Sequence, residues 1–109
     1  MKMVVAYVDP DRFEPIREDL LEMGFVSLTV SEVSGSTPEP TMTGSYRGAK
    51  MERHVRAKAR IECVLCDEQA QTVVDAMRRI GGEHTFVIVL PVEAAVPDIT
   101  VNSGELATA

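Results

Sequence analysis

From Val55 to Cys66 the chain alternates in a simple rhythm. Val55, Ala57, Ala59, Ile61 and Cys63 fall on one face of an extended strand, and Arg56, Lys58, Arg60 and Glu62 on the other. A repeat of two is the side-chain period of a β-strand, and an apolar face opposite a charged one marks a strand with one side packed and one side open. This stretch therefore commits the chain to a sheet, and the remaining elements must cover its apolar side. Lys2 to Val8 is a Val-rich apolar run too short for a helix, which suits a buried strand ended by Asp9-Pro10-Asp11. From Arg12 to Met23, Phe13, Ile16, Leu20, Leu21 and Met23 form one helical stripe against Glu14, Arg17, Glu18 and Glu22. Pro15 lies in the first turn, where its missing amide costs no helical bond, and Gly24 is a natural stop. Val26 to Val33 alternates as a half-exposed strand, with Val26, Leu28, Val30 and Glu32 opposite Ser27, Thr29, Ser31 and Val33.

After the Val55 strand, Asp67 reads as an N-cap, and Ala70, Val73, Val74, Met77 and Ile80 form the stripe of a second helix ending at Gly81-Gly82. Thr85 to Leu90 is a buried-strand pattern closed by Pro91; the tail from Glu93 to Ala109 is broken by Pro97 and Gly104, with weak strand potential at Ile99 to Val101. The order β-α-β-β-α-β is the ferredoxin-like arrangement, an α+β fold with a four-stranded antiparallel sheet and two helices on one face. At 109 residues this predicts one domain over 1–109, small enough for association to help it. The helix-free face of the sheet then meets solvent or another subunit, so a homo-oligomer is expected. A net charge of −6 argues against a nucleic-acid or anionic-membrane surface. Two cysteines make no disulfide framework, and no apolar run resembles a signal peptide or a membrane span, so the expected location is the cytoplasm.

Between the two middle strands lies a polar, Gly/Pro-rich excursion, Ser36 to His54. Loops this long inside a small domain are usually functional or disordered. Here the sequence resembles the PII nitrogen-regulatory signal proteins. The resemblance is carried by the opening Met1 to Phe25, by Leu28-Thr29-Val30-Ser31-Glu32-Val33 with Gly35, and by Tyr46-Arg47-Gly48-Ala49; Lys58-Ala59-Arg60-Ile61-Glu62 is similar to the family's lysine-bearing strand. The resemblance implies a homotrimer, small effectors bound in clefts between subunits, and a T-loop, here about 36–54, that contacts a target membrane transporter or metabolic enzyme in carbon or nitrogen metabolism. It implies ligand-binding roles for Thr29, Gly35, Lys58, Arg60, Glu62, Gly81, Gly82 and His84, and a partner-binding role for Tyr46, Arg47 and Gly48.

The departures from the family pattern bear on the ligand. Where members that sense ATP and 2-oxoglutarate carry Gly-x-Gly-x-Gln-Lys-Gly, this chain has Gly35-Ser36-Thr37-Pro38-Glu39-Pro40-Thr41, so Glu39 replaces a glutamine that helps ligate magnesium. Met51 stands at the place of the modifiable tyrosine, the phosphate loop is shortened to Gly81-Gly82-Glu83-His84, and the Arg-x-Arg pair is missing near Thr100 to Glu105. Phosphate clefts need amides and cations to offset negative charge. Lys58, with Arg60, Arg47 or His84, remains, but Glu39 and Glu83 are added. The expected effector is therefore less charged than ATP: AMP, ADP, a cyclic nucleotide or bicarbonate, with no other cofactor implied.

Other chemistry has weaker footing. Cys63-x-x-Cys66 lacks the second pair of a zinc site, and on a strand the two thiols face opposite ways; His54 and His84 could join a metal site only if the fold brought them together. No nucleophile elbow, HExxH or complete P-loop is present, and Arg47 with Asn102 is no catalytic motif. The expectation is a non-catalytic signalling module. The alternative is a metal-binding or structural trimer related to the CutA-like branch.

Overall fold

Four strands pair antiparallel throughout, in the order β2 (Thr29–Ser36), β5 (Val55–Leu65), β1 (Lys2–Val8), β6 (Phe86–Pro91), in a computed structural model that describes residues 1–25, 27–38 and 42–97. Helices α1 (Phe13–Glu22) and α2 (Asp67–Gly81) cover one face, giving the expected ferredoxin-like α+β fold. Register places Ala6 opposite both Ile61 and Val87, and Val4 opposite Cys63 and Val89. Inward residues of β1 and β5 thus form one apolar surface, onto which Ile16, Leu20, Val73, Ala76 and Met77 pack fully or almost fully buried. Each such aliphatic side chain contributes about 1.5–3 kcal/mol by leaving water. No helix among the described residues is long and apolar enough to cross a membrane.

Helix α1 ends as its sequence predicts. Gly24 sits at φ 94°, the Phe25 amide reaches back to the Leu20 carbonyl at 2.9 Å, and the Gly24 amide to Leu21 at 3.0 Å. This double bond pattern is a Schellman motif, and Phe25 then joins Leu20 in the core. The start of α2 differs from expectation. Cys66 takes the N-cap position and Asp67 is the first helical residue, its carboxylate bonded to the Met1 ammonium rather than to helix amides. That hydrogen bond holds the Asp67 carboxyl below its usual value, so the attraction is present at neutral pH and is lost as acid protonates it.

Strand β2 also shifts. It begins at Thr29 rather than Val26, which lies outside the described residues, and continues to Ser36. As an edge strand beyond the helices it leaves Val30 43% exposed, so alternation there does not make a buried face. The strand expected from Thr85 starts at Phe86, because the Thr85 amide instead closes a turn onto the Gly82 carbonyl. The tail expectation at Ile99 to Val101 falls outside the described residues.

The long excursion contains regular structure. The β2–β5 ladder gains a further bond from the Thr37 amide to the His54 carbonyl at 2.8 Å, and beyond it β3 (Met42–Tyr46) pairs with β4 (Ala49–Arg53). The connecting residues Arg47 and Gly48 have φ of 51° and 81°, the two positive angles of a type I′ hairpin turn. Only His54 separates β4 from β5, and the 17 residues from Ala49 to Leu65 would span about 55 Å at a strand's rise. This accounts for extents of 63 × 26 × 18 Å, and for a radius of gyration of 17.1 Å where a compact chain of this length has about 13 Å.

No described element covers the other face of the sheet. Met3, Val5 and Tyr7 of β1 lie there beside Phe86, Ile88 and Leu90 of β6, and Phe86 is 62% exposed. The Tyr7 and Phe86 rings sit 6.3 Å apart, and the Arg60 guanidinium lies 6.0 Å from the Tyr7 ring.

Two glycines test these assignments. A Cβ on Gly81 would overlap the Thr85 hydroxyl and come within 3.0 Å of its methyl group, so Gly81→Ala is expected to cost about 1–3 kcal/mol in urea unfolding. Gly48 has open space around it and only its positive φ to protect, at about 1–2 kcal/mol. Gly48→Ala should therefore speed amide exchange within 42–53 and leave the global Tm unchanged.

Candidate functional site

Where the hairpin leaves the sheet, a cleft of about 390 Å³ is lined by Ser36, Thr37, Pro38, Arg56, Lys58 and His84. Three separate parts of the chain build it: the end of β2 with the residues after it, the charged face of β5, and the turn between α2 and β6. Lys58 is the most enclosed cation, its side chain only 15% exposed. Its Nζ donates to the Asp9 carboxylate at 3.3 Å and to the His84 carbonyl at 3.2 Å. Asp9 reaches this position because β1 ends at Val8, opposite Ala59, which brings the next residue alongside Lys58. Arg56 is exposed and has no ion pair among the described residues. Lys58 and Arg56 bring two positive charges to this place and Asp9 one negative. The arrangement can hold an anion, with Arg56 as the available cation and Lys58 already bridged.

The structure gathers some of the sequence-predicted site residues and disperses others. Gly35, paired with Arg56, lies beside Lys58: a Cβ built on it would be 3.7 Å from the lysine Cγ, an ordinary contact, so the position does not require glycine on steric grounds. His84 contributes through its backbone carbonyl, while its ring faces Glu83 at 3.5 Å. Arg60 is two residues along the same face, engaged with Glu62 at 2.9 Å and with Tyr7, and its Nε is buried without a hydrogen-bond partner. Thr29 and Glu62 form a cross-strand pair four residues from Lys58, about 13 Å away along the strand. Gly82 lines a different cleft of about 490 Å³, with Asp75, Arg78, Arg79, Glu83 and Thr85. Gly81 is buried against Thr85, which makes it first of all a packing residue. Arg47 and Gly48 form the hairpin tip with Tyr46 ending β3, eight or more residues from Arg56 and so about 25 Å away. Glu39 lies outside the described residues.

Two members of the cleft group escaped sequence reading. Asp9 reads as a strand terminator, and Arg56 as one of several charges on an open face. A carboxylate just past the end of a strand gives no local sign of which lysine it will meet.

The cysteines do not form a site. Cys63 is buried in the core and Cys66 caps α2. His54 pairs with Glu52 at 3.4 Å at the hairpin base, and no group of three metal-ligating side chains occurs among the described residues.

Residues 1–97 match the family described as nitrogen regulatory protein P-II. The nitrogen regulatory protein GlnK2 of Haloferax mediterranei is 33% identical over 110 aligned positions, covering 95% of this chain and 88% of that protein. The nitrogen regulatory protein P-II of Rhizobium meliloti is 34% identical over 93 positions, 80% of this chain and 83% of its own length. The P-II 1 protein of Escherichia coli K12 is 35% identical over the same coverage. The chain is a member of the nitrogen regulatory protein P-II family, a regulatory signalling protein on the ferredoxin-like fold.

Proposed function

We propose that this chain is a non-catalytic cytoplasmic regulator, acting as a homotrimer that binds a small anionic effector at the Lys58 cleft and reports its presence through the β3–β4 hairpin to a transporter or metabolic enzyme. The observation that carries this reading is that the cleft adjoins the root of the hairpin. Ser36, Thr37 and Pro38 line the cleft and also lead into the projecting loop, and the Thr37 amide bond to His54 clamps its root. A ligand touching these residues alters the free energy of the loop directly. It shifts the loop only by as much as it discriminates between loop states.

The effector class follows from charge. One net positive charge at the cleft suits bicarbonate or a nucleoside monophosphate or diphosphate better than ATP, as the shortened Gly81-Gly82-Glu83-His84 loop also implies. The proposed trimer uses the uncovered sheet face, where Phe86 and Leu90 are exposed. The hairpin presents Arg47, Lys50 and Arg53 against Glu52, and its tip residues Tyr46, Arg47 and Gly48 form the proposed contact with the target.

These statements lead to four measurements. A thermal-shift panel should show AMP, ADP or bicarbonate raising Tm, since a ligand that binds only the native state stabilises it. Lys58→Ala should weaken that binding by about tenfold or more, the loss of a charge-assisted contact of about 1.5–3 kcal/mol. Bound effector should protect 36–54 from limited proteolysis; unchanged cleavage in the presence of a saturating effector would separate the cleft from the loop and end this reading. Replacing 42–53 by a short Gly-Ser linker should leave effector binding in place while abolishing target capture.

A further inference from the structure

Lys58 is not an empty anion site awaiting a ligand. Its Nζ is held by the Asp9 carboxylate at 3.3 Å and by the His84 carbonyl at 3.2 Å, with the lysine side chain 15% and the aspartate side chain 30% exposed. In that half-buried setting the carboxylate already supplies the negative charge that the lysine attracts. Asp9 does not itself line the cleft, but its carboxylate lies 3.3 Å from the Lys58 Nζ, so an effector anion approaching Lys58 meets a nearby like charge, with Arg56 the cleft cation that has no ion pair among the described residues. Repulsion from Asp9 grows with the number of charges on the ligand, whereas the lysine and arginine side chains lining the cleft among the described residues are Lys58 and Arg56. The aspartate is anchored in place: its backbone carbonyl accepts the Arg12 amide at 2.9 Å, and Val8 beside it is locked in the β1–β5 ladder and the core. Its backbone is thereby fixed, and its carboxylate is held toward the cleft by the contact with Lys58.

We propose that Asp9 is the specificity-determining residue of this cleft, a built-in carboxylate that occupies Lys58 and thereby sets an upper limit on the charge of the anion admitted. The inference rests on the reading of the cleft as an effector site and adds to it the residue that selects among effectors. Monoanions and nucleoside mono- and diphosphates enter by pairing with Arg56 and sharing Lys58 with Asp9. A triphosphate is disfavoured because its further charge adds repulsion from Asp9 that Lys58 and Arg56 do not offset.

The test is a charge series measured by calorimetry without magnesium, using AMP, ADP and ATP on the wild-type protein, on Asp9→Asn and on Arg56→Gln. Asp9→Asn keeps an oxygen for the Lys58 hydrogen bond and removes only the charge. It should strengthen binding of all three nucleotides, with a gain about tenfold larger for ATP than for AMP, as expected for two extra ligand charges several ångströms from the lost carboxylate in a wet cleft. Arg56→Gln, at an exposed position, should weaken all three, most strongly ATP. Asp9→Ser, with native circular dichroism as the check, repeats the experiment should the asparagine variant fold poorly. An equal gain for the three nucleotides, or no gain, overturns the role of Asp9 while leaving the effector site standing. If no nucleotide binds the wild-type protein or any variant, the inference falls, and if bicarbonate fails to bind as well, the effector reading falls with it.

Discussion

The register of β5 is the constraint on which the rest of this structure depends. Its side chains alternate, so Ala59, Ile61, Cys63 and Leu65 enter the core while Arg56, Lys58, Arg60 and Glu62 stand on the opposite face. A slip of one residue against β1 would exchange the two sets, burying four charges and exposing the apolar row. Such burial costs several kilocalories per unpaired ion, far more than any local contact on this face could return. Core packing therefore fixes not only the fold but the direction in which the cleft cations point. The same ladder continues past the sheet, where β2 and β5 hand over to β3 and β4 with the clamp between Thr37 and His54 at the junction.

The hairpin differs from the body in what holds it. None of its described side chains enters the core, and Lys50, Met51, Glu52 and Arg53 are all exposed. Its order comes from backbone pairing, a turn in which Arg47 and Gly48 adopt positive φ, and surface pairs such as Lys50 with Glu52 at 3.3 Å. Isolated two-stranded hairpins are marginal in water, and exposed ion pairs add at most about 1 kcal/mol. A segment of this kind, at the low-stability end of the molecule, is easily biased by a ligand at its root. That balance suits a signalling loop.

The helix-free face divides into two chemical zones. Toward the hairpin it is charged, with Arg56, Lys58, Arg60 and Glu62 in one line, and toward β6 it is apolar, with Val5, Ile88, Phe86 and Leu90 around Tyr7. The Arg60 guanidinium joins the zones, pairing with Glu62 on one side and approaching the Tyr7 ring on the other. The proposed association surface and the proposed ligand cleft share one face of one sheet and are linked through Arg60, which is the physical basis for reading them as one functional unit.

Periodicity made the architecture legible. The Val55 strand, the Phe13–Ile16–Leu20 stripe, Gly24 at a helix end and the Val73–Met77 stripe each encode a local preference that the fold obeys, because each buries an apolar face that nothing else could cover. Motif spelling likewise made the family legible, and the structure places two of its expected site residues, Gly35 and Lys58, side by side, and Arg47-Gly48 at the hairpin turn. What the sequence could not show depends on partners distant along the chain. The hairpin strands carry no apolar alternation, so backbone pairing alone reveals them; the N-cap moved from Asp67 to Cys66 because the chain turns there into α2. Gly81 and Gly82, adjacent in sequence, separate into a packing contact with Thr85 and the lining of a second cleft. The union of Asp9 with Lys58, 49 residues apart, exists only because β1 ends opposite the middle of β5. Local pattern determined which elements form and which faces they bury; tertiary pairing decided which charges meet, because a charge finds its counterpart through space and not through spacing.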